Sequence, residues 1–262
     1  MVEMIFYCLV LGVFAGLLAG LFGIGGGVAI VPSLLALFAW QGFPADSVMV
    51  IAIATSLATV VLTSIASMQA HRRMGTIEWP LVRQMAPMIF IGAIIGSWIA
   101  HQVPGRLLEG YFALFLIYVG FKMLTTSLGK RRSEGAMRIP YGIGGCVIGL
   151  FSSALGIGGG TLTVPYLVHM QRPMQVAVGV SSACGLPIAV ASSISYIVLG
   201  WNVTASAPGF YGYIYVPAFV GIISTSMFFA PVGAKMAVRL PVEKLQRLFA
   251  VLLLLVACGL LL

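Results

Sequence analysis

The chain has 262 residues, of which 60% are hydrophobic and only 8% are charged. A soluble domain carries roughly a quarter charged residues, and a disordered chain combines high charge with low hydrophobicity, so the composition excludes both. The net charge of +8 comes from short clusters between apolar runs, which favours positive-inside membrane topology over a nucleic-acid-binding surface.

Ten apolar segments predict an all-α polytopic membrane protein. The first five are 5–22, 27–40, 46–70, 80–102 and 104–127. A basic stretch separates them from 139–156, 160–171, 174–199, 211–240 and 241–262. No Lys or Arg precedes the first segment, so we expect it to be a retained span and not a cleaved signal peptide.

Two of these segments, 27–40 and 160–171, are too short to cross a bilayer, and each begins at a run of glycines. The residues Gly23 to Gly27, with Pro32 after them, recur 133 residues later as Gly156 to Gly160, with Pro165. Because glycine and proline interrupt helices, both runs predict a bend within an apolar hairpin. Interrupted segments at matching places in two halves indicate the binding site of a transporter.

The repetition extends beyond the glycines and predicts an internal duplication. Thr55-Ser56 corresponds to Ser181-Ser182 after similar apolar residues. We expect a first membrane repeat at 1–128, a basic cytoplasmic linker at 129–138 and a second repeat at 139–262. The distribution of Lys and Arg is best explained if 5–40 and 139–171 are hairpins that each return to the side where they began. The halves are then inverted repeats, each a glycine-broken hairpin plus three transmembrane helices, with about eight to ten membrane segments in all. In this arrangement we expect the two glycine bends to enter from opposite faces and to meet near the midplane.

A helix that begins inside the membrane leaves about four N–H groups without intrahelical partners. These groups and the helix dipole suit an anion, and glycine allows a ligand to approach them closely. Close helix packing is the alternative explanation of such glycines. The candidate substrate-binding residues are the bend residues and the neighbouring hydroxyls: Gly23, Gly25, Gly26, Gly27, Pro32, Thr55, Ser56, Gly156, Gly158, Gly159, Gly160, Pro165, Ser181 and Ser182.

The other polar side chains indicate neither a metal site, a cofactor nor an enzyme. The carboxylates lie at segment ends or in loops, which suits an anionic substrate and offers no proton relay. We expect Lys235 to reach the cytoplasmic face, and His71, His101 and His169 to lie at the membrane interface. The cysteines occur singly inside apolar segments, at Cys8, Cys146, Cys184 and Cys258.

The duplicated glycine motif ending in Val-Pro, at Gly23 to Pro32 and at Gly156 to Pro165, resembles the TauE/SafE sulfite exporter family. The run Ala54-Thr55-Ser56 and its partner Ser181-Ser182 are similar to that family too, and the resemblance covers essentially the whole chain. It implies a multi-pass protein in the cytoplasmic membrane of a bacterium or archaeon. Such a protein would carry small sulfur-containing anions, for example sulfite or an organosulfonate.

The hypothesis from the sequence is a secondary transporter that works by alternating access, with a small anion and the lipid bilayer as its partners. An anion channel-like pore, or a carrier of a different small organic anion, stays open as an alternative. The sequence leaves the anion, the direction of transport, the coupling ion and the oligomeric state undetermined.

Overall fold

The computed structural model describes residues 2–23, 25–125, 140–204, 208–239 and 242–261. Within them the chain forms ten α-helices and one two-stranded β-hairpin. The predicted linker at 129–138 lies outside the described residues. The first-half helices are α1 (Val2–Phe22), α2 (Gly27–Trp40), α3 (Ala45–Arg73), α4 (Trp79–Gln102) and α5 (Gly105–Thr125). The second half contains α6 (Tyr141–Ala154), α7 (Gly160–His169), α8 (Met174–Thr204), β1 (Phe210–Tyr211), β2 (Ile214–Tyr215), α9 (Val216–Arg239) and α10 (Val242–Leu261).

Each of the ten predicted segments corresponds to one helix, and the largest differences are five residues each: α8 extends to Thr204, beyond the predicted end at 199, and α9 begins later than predicted. The sequence predicted a helical segment from residue 211, whereas the helix begins at Val216. The preceding residues form the β-hairpin, in which Phe210 pairs with Tyr215. Gly212 at its turn has a φ of 58°, a backbone conformation that a right-handed helix does not contain.

The protein is a multi-pass membrane protein, because five of its described helices are long and apolar enough to cross a bilayer. These spans are Glu3–Phe22, Ser47–Arg73, Trp79–Gln102, Met174–Val203 and Val216–Ala237. At about 1.5 Å per residue, the 14 residues of α2 reach roughly 21 Å, which is less than the roughly 30 Å of a hydrocarbon core. The 14 residues of α6 and the 10 of α7 are also too few.

Two long helix pairs join the halves, and both depend on glycine. The helix α1 packs along α9, and α4 packs along α6. A Cβ added at Gly16 of α1 would overlap with the carbonyl oxygen of Ser226 on α9, and one at Gly149 of α6 would overlap with that of Ile89 on α4. Small residues at four-residue spacing allow this close approach of two backbones. The two pairs are equivalent: α1 and α4 of the first half correspond to α6 and α9 of the second half, so the pair α1–α9 corresponds to the pair α6–α4.

The helices α3 and α8 run antiparallel through the centre of the bundle. Near the end of α3, the loop residue Thr76 packs against Gly179 in the second turn of α8. Near the start of α3, Thr55 accepts a hydrogen bond from the Tyr215 amide, in the hairpin that follows α8. Both helices contact helices of the other half along their length, α3 with α9 and α8 with α4.

The two glycine-broken hairpins enter from opposite ends of this bundle. In the first hairpin, the hydroxyl of Tyr7 on α1 donates to the carbonyl oxygen of Ser33 on α2 at 3.3 Å. The Tyr215 hydroxyl contacts Met4 at 4.0 Å, so this hairpin opens at the end of the bundle that carries 210–215.

The second hairpin opens at the end that carries the loop between α3 and α4. The Tyr141 ring, at the start of α6, packs edge-on against the Tyr166 ring near the end of α7, with centroids 6.3 Å apart. Arg172, just after α7, forms an ion pair with Glu78 of that loop at 3.2 Å. Because α3 runs from one end of the bundle to the other, the openings of the two hairpins lie at opposite ends.

We expect Gly16→Leu and Gly149→Leu to destabilise the fold, because each added side chain would meet backbone of the facing helix. Overpacking typically costs about 1–3 kcal/mol, and each kcal/mol lowers the melting temperature by roughly 2–4 °C in a protein of this size. Thermal unfolding of the purified protein in detergent measures the effect. Gly110→Leu is the matched control, since Gly110 is exposed on α5 and its Cβ would meet nothing within 4 Å. Equal melting temperatures for all three variants would contradict the packing described.

Candidate functional site

The two glycine bends contact each other inside the protein. A Cβ added at Gly27, where α2 begins, would lie 2.5 Å from the carbonyl oxygen of Gly156 and 3.1 Å from the amide nitrogen of Gly158. The helix α7 begins only two residues after Gly158. All described residues of both runs are buried. The N-termini of α2 and α7 therefore adjoin in the interior, as the sequence predicted for two bends that meet.

Glycine is needed in the first bend mainly for its backbone conformation. Gly23, Gly25 and Gly26 have φ angles of 66°, 68° and 83°, values that favour glycine because it lacks a Cβ. In the second bend only Gly156 has such an angle, 71°, and Gly159 has an ordinary φ of −53°. The two runs share their sequence but do not share their backbone conformation.

The two prolines occupy equivalent places in the short helices. Pro32 and Pro165 are each the sixth residue of their helix. Because proline has no N–H, the carbonyl four residues earlier has no helical donor. Proline therefore weakens the helical hydrogen bonding of α2 and α7 in the first turns after each bend.

Two reciprocal hydrogen bonds, one at each bend, hold the bends to the opposite halves of the chain. The Ser56 hydroxyl of α3 donates to the carbonyl oxygen of Gly156 at 3.0 Å. The Ser181 hydroxyl of α8 donates to the carbonyl oxygen of Gly23 at 2.9 Å. All four residues are buried. The sequence paired Thr55-Ser56 with Ser181-Ser182 as a unit, and these bonds identify Ser56 and Ser181 as the equivalent residues.

The other two predicted hydroxyls point elsewhere. The Thr55 hydroxyl oxygen accepts a hydrogen bond from the Tyr215 amide at 3.0 Å. The Ser182 hydroxyl donates to the carbonyl oxygen of Gly179 at 2.7 Å, within its own helix. In this conformation all four hydroxyls have protein partners, and the ligand contact expected of them stays a prediction.

Three further polar side chains of α3 hold the first bend, and the sequence analysis did not identify them. They lie at four-residue spacing on one face of the helix, and each contacts a backbone carbonyl at the end of α1 or in the bend. A helix end leaves its last carbonyls unpaired, which is costly inside a membrane protein. The contacts are Ser67 to Ala19 at 3.3 Å, His71 to Gly20 at 3.1 Å and Thr63 to Gly25 at 3.1 Å.

His71 lies in the last turn of α3, where the sequence predicted an interface residue, and its side chain is buried among the helices. Its side chain is only 1% exposed, because the imidazole fills the space between the end of α1 and the turn after α3. Its Nε2 carries the proton, since the Gly20 carbonyl can only accept. Its Nδ1 lies 3.0 Å from the Thr76 hydroxyl. The four-residue spacing of Thr63, Ser67 and His71 on an apolar helix is the signal that could have indicated this role.

Tyr196 takes the place of His71 in the second half. Its hydroxyl donates to the carbonyl oxygen of Ser153 at 3.1 Å. Ser153 lies 133 residues after Gly20, and Tyr196 lies 125 residues after His71, the same separation as between Ser56 and Ser181. Both halves thus use a buried ring of the central helix to hold the carbonyl end of the broken hairpin.

The amide ends of the short helices are treated differently from these carbonyl ends. Neither α2 nor α7 has a side-chain hydrogen bond at its N-cap, which is Gly26 in one and Gly159 in the other. No Lys, Arg, Asp or Glu is buried among the side chains that the structure describes, and Lys235 is exposed on α9. The positive ends of two helix dipoles therefore provide the local charge at the bends.

Within the described ranges, no three His, Cys, Asp or Glu side chains are grouped as a metal ion would require. The interior of the site instead consists of backbone groups, hydroxyls and apolar side chains. Such a site is suited to binding and passing a small ligand.

Comparison with known proteins agrees with a multi-pass membrane transporter. A protein of Haemophilus influenzae called "Probable membrane transporter protein" is 38% identical over 258 residues, which cover 98% of each chain. A probable membrane transporter protein of Methanocaldococcus jannaschii is 26% identical over 243 residues, 91% of this chain and 88% of that protein. No solved structure matches the chain.

The sequence model of one family, described as "Sulfite exporter TauE/SafE", matches residues 8–260. This range includes both glycine bends and all the helices that hold them. The chain belongs to the TauE/SafE sulfite exporter family, as its duplicated glycine motif indicated.

We expect Ser56→Ala and Ser181→Ala to lower the free energy of unfolding by similar amounts, about 1–3 kcal/mol each. Each variant leaves the carbonyl of a buried bend without its donor. Thermal unfolding of the purified variants measures the loss. Ser47→Ala is the control, because the Ser47 hydroxyl makes only a 3.4 Å contact near the exposed start of α3, and it should change stability by less than about 0.5 kcal/mol. A large effect of only one of the two buried variants would contradict the reciprocal arrangement.

Proposed function

We propose that the protein is a secondary transporter that binds a small sulfur-containing anion at the two glycine bends. The observation that carries this proposal is that the N-termini of two short helices adjoin in the buried centre of the protein. Their N-caps, Gly26 and Gly159, have no side chain that could cap the first amides. Helix N-termini with their dipole ends are a common binding site for oxyanions.

The electrostatics of the interior support an anion over a cation. A cation carrier usually surrounds its substrate with carboxylates or carbonyl oxygens. Here no carboxylate is buried among the described side chains, and the carbonyls of the bends accept hydrogen bonds from protein side chains, as Gly23 does from Ser181. Sulfite or an organosulfonate is the proposed substrate class, and the name of the matching family supports it.

The arrangement of the halves supports alternating access between inverted repeats at 1–128 and 139–262. The pairs α1 with α9 and α4 with α6 are exchanged when the halves are exchanged, and the hairpins open at opposite ends of the bundle. In the proposed cycle one repeat rocks against the other around the bends. Each half donates one serine hydrogen bond to the bend of the other half. In the proposed cycle one of these two bonds can break while the other remains.

An aromatic cluster closes one end of the bundle in this conformation. Phe38 and Phe43 stack with ring centroids 4.9 Å apart, and Tyr215 lies edge-on to both at 5.5 Å. Phe210 adds a fourth ring, 5.0 Å from Tyr215. We assign this cluster as the barrier on that side, because its Tyr215 is also hydrogen-bonded through its amide to Thr55 in the third turn of the central helix α3.

The direct test is anion binding and exchange by the purified protein. Sulfite, thiosulfate, sulfate, methanesulfonate and acetate are compared for their effect on the melting temperature. A ligand at about 100 times its Kd stabilises by about 2.7 kcal/mol, so a bound sulfur anion should raise the melting temperature by several degrees. In proteoliposomes, counterflow should accelerate uptake of the same anion. Binding without counterflow would indicate a pore, and no stabilisation by any of these anions would contradict the proposal.

We expect Gly159→Ala to weaken anion binding about tenfold, or 1.4 kcal/mol, and to lower stability by about 1 kcal/mol through overpacking. The φ of −53° accepts alanine, and the added methyl group would lie 3.2 Å from Ile188, 3.3 Å from the backbone nitrogen of Gly185 and 3.4 Å from the Thr163 hydroxyl, crowding the N-terminus of α7. Gly25 is a poorer position for this test, because its φ of 68° would strain any side chain. Titration calorimetry measures the affinity, with Gly110→Ala on the exposed face of α5 as control. Unchanged affinity in Gly159→Ala would place the site elsewhere.

A further inference from the structure

The start of α7 contains two buried hydroxyl groups that have no hydrogen-bond partner within the described part of the chain. They belong to Thr161 and Thr163, both of which are 0% exposed. Buried polar groups are nearly always paired, and an unpaired one reduces stability because its desolvation is not compensated. Two such groups within three residues call for an explanation beyond packing.

Both hydroxyls lie at the amide end of the helix. Thr161 is the second residue of α7 and Thr163 is the fourth. The Thr163 amide donates to the carbonyl of Gly159 at 2.8 Å, and the amides of the three residues before it have no acceptor within the helix. Side chains of a helix tilt toward its N-terminus, and the Thr163 hydroxyl would be 3.4 Å from a Cβ at Gly159. The Thr163 hydroxyl therefore lies beside the N-terminal backbone of α7, whereas Thr161, two residues away, projects from a different side of the helix.

The equivalent positions of α2 carry no hydroxyl. At the separation of 133 residues, Thr161 corresponds to Val28 and Thr163 corresponds to Ile30, and both apolar residues are 0% exposed. The first half thus fills the same two places with hydrocarbon, which shows that packing next to a bend does not require a hydroxyl. The two helix N-termini share a backbone motif and differ in these side chains.

We propose that the Thr163 hydroxyl donates a hydrogen bond to an oxygen atom of the transported anion at the N-terminus of α7. This assignment rests on the proposed function. It makes the start of α7 more polar than the start of α2, where Ile30 occupies the equivalent position.

The test uses Thr161→Val and Thr163→Val, singly and together, in the purified full chain. The probes are sulfite and methanesulfonate, with Kd from calorimetry and melting temperature measured with and without each probe. We expect Thr163→Val to weaken binding about tenfold or more, because it removes a donor to a charged group. Without anion, the melting temperature should stay the same or rise, because an unpaired buried hydroxyl is removed.

A purely structural role predicts the reverse pattern, with a lower melting temperature without anion and an unchanged Kd. Thr163→Ser keeps the hydroxyl and should bind like the wild type. Ser226→Ala is the matched control: it removes another buried hydroxyl without a described partner, on α9, and should leave the Kd unchanged. Wild-type affinity in Thr163→Val would overturn this inference while leaving the anion site in place. No binding of either probe by the wild type would overturn the proposed function as well.

Discussion

The structure depends on how a chain in a membrane satisfies the backbone groups of two helices that stop in its interior. Each broken hairpin leaves carbonyl oxygens at the end of its first helix and amides at the start of its second, and hydrocarbon can pair with neither. The central helices solve half of this problem. Side chains of α3 and α8 donate to the bend carbonyls, among them Ser56 to Gly156 and Ser181 to Gly23.

The amides at the starts of α2 and α7 are the origin of the proposed activity. Side chains donate to the carbonyls of the bends, whereas the N-cap residues of α2 and α7 are glycines, which have no side chain to cap the amides. Two adjoining helix N-termini, in an interior where the described side chains include no buried carboxylate, are complementary to a small negative ligand.

The sequence was sufficient for the helices, because apolar runs and glycine breaks determine where a membrane chain can be helical. All ten segments were predicted, and so was the contact between the two bends. The start of α9 was placed too early, since the aromatic residues of the 210–215 hairpin are as apolar as a helix. Only the turn at Gly212, with its φ of 58°, distinguishes the two conformations.

The side-chain partners were harder to predict, because they depend on how the two halves pack together. Ser56 and Ser181 were identified as site residues, but that each holds the opposite bend follows only from the antiparallel arrangement of α3 and α8. His71 was assigned to the interface because it lies near the end of an apolar segment. Its contact with Gly20 depends on α1 ending beside the last turn of α3, which the sequence does not show.

The most direct measurement is an anomalous difference map at long wavelength from crystals grown with sulfite. The 13 methionines and 4 cysteines of the chain provide internal sulfur references for the strength of each peak. The account predicts one additional sulfur peak at the N-terminus of α7, within hydrogen-bond reach of the Thr163 hydroxyl. An ordered sulfite found only away from both bends, with the amides of α2 and α7 capped by protein groups, would contradict it.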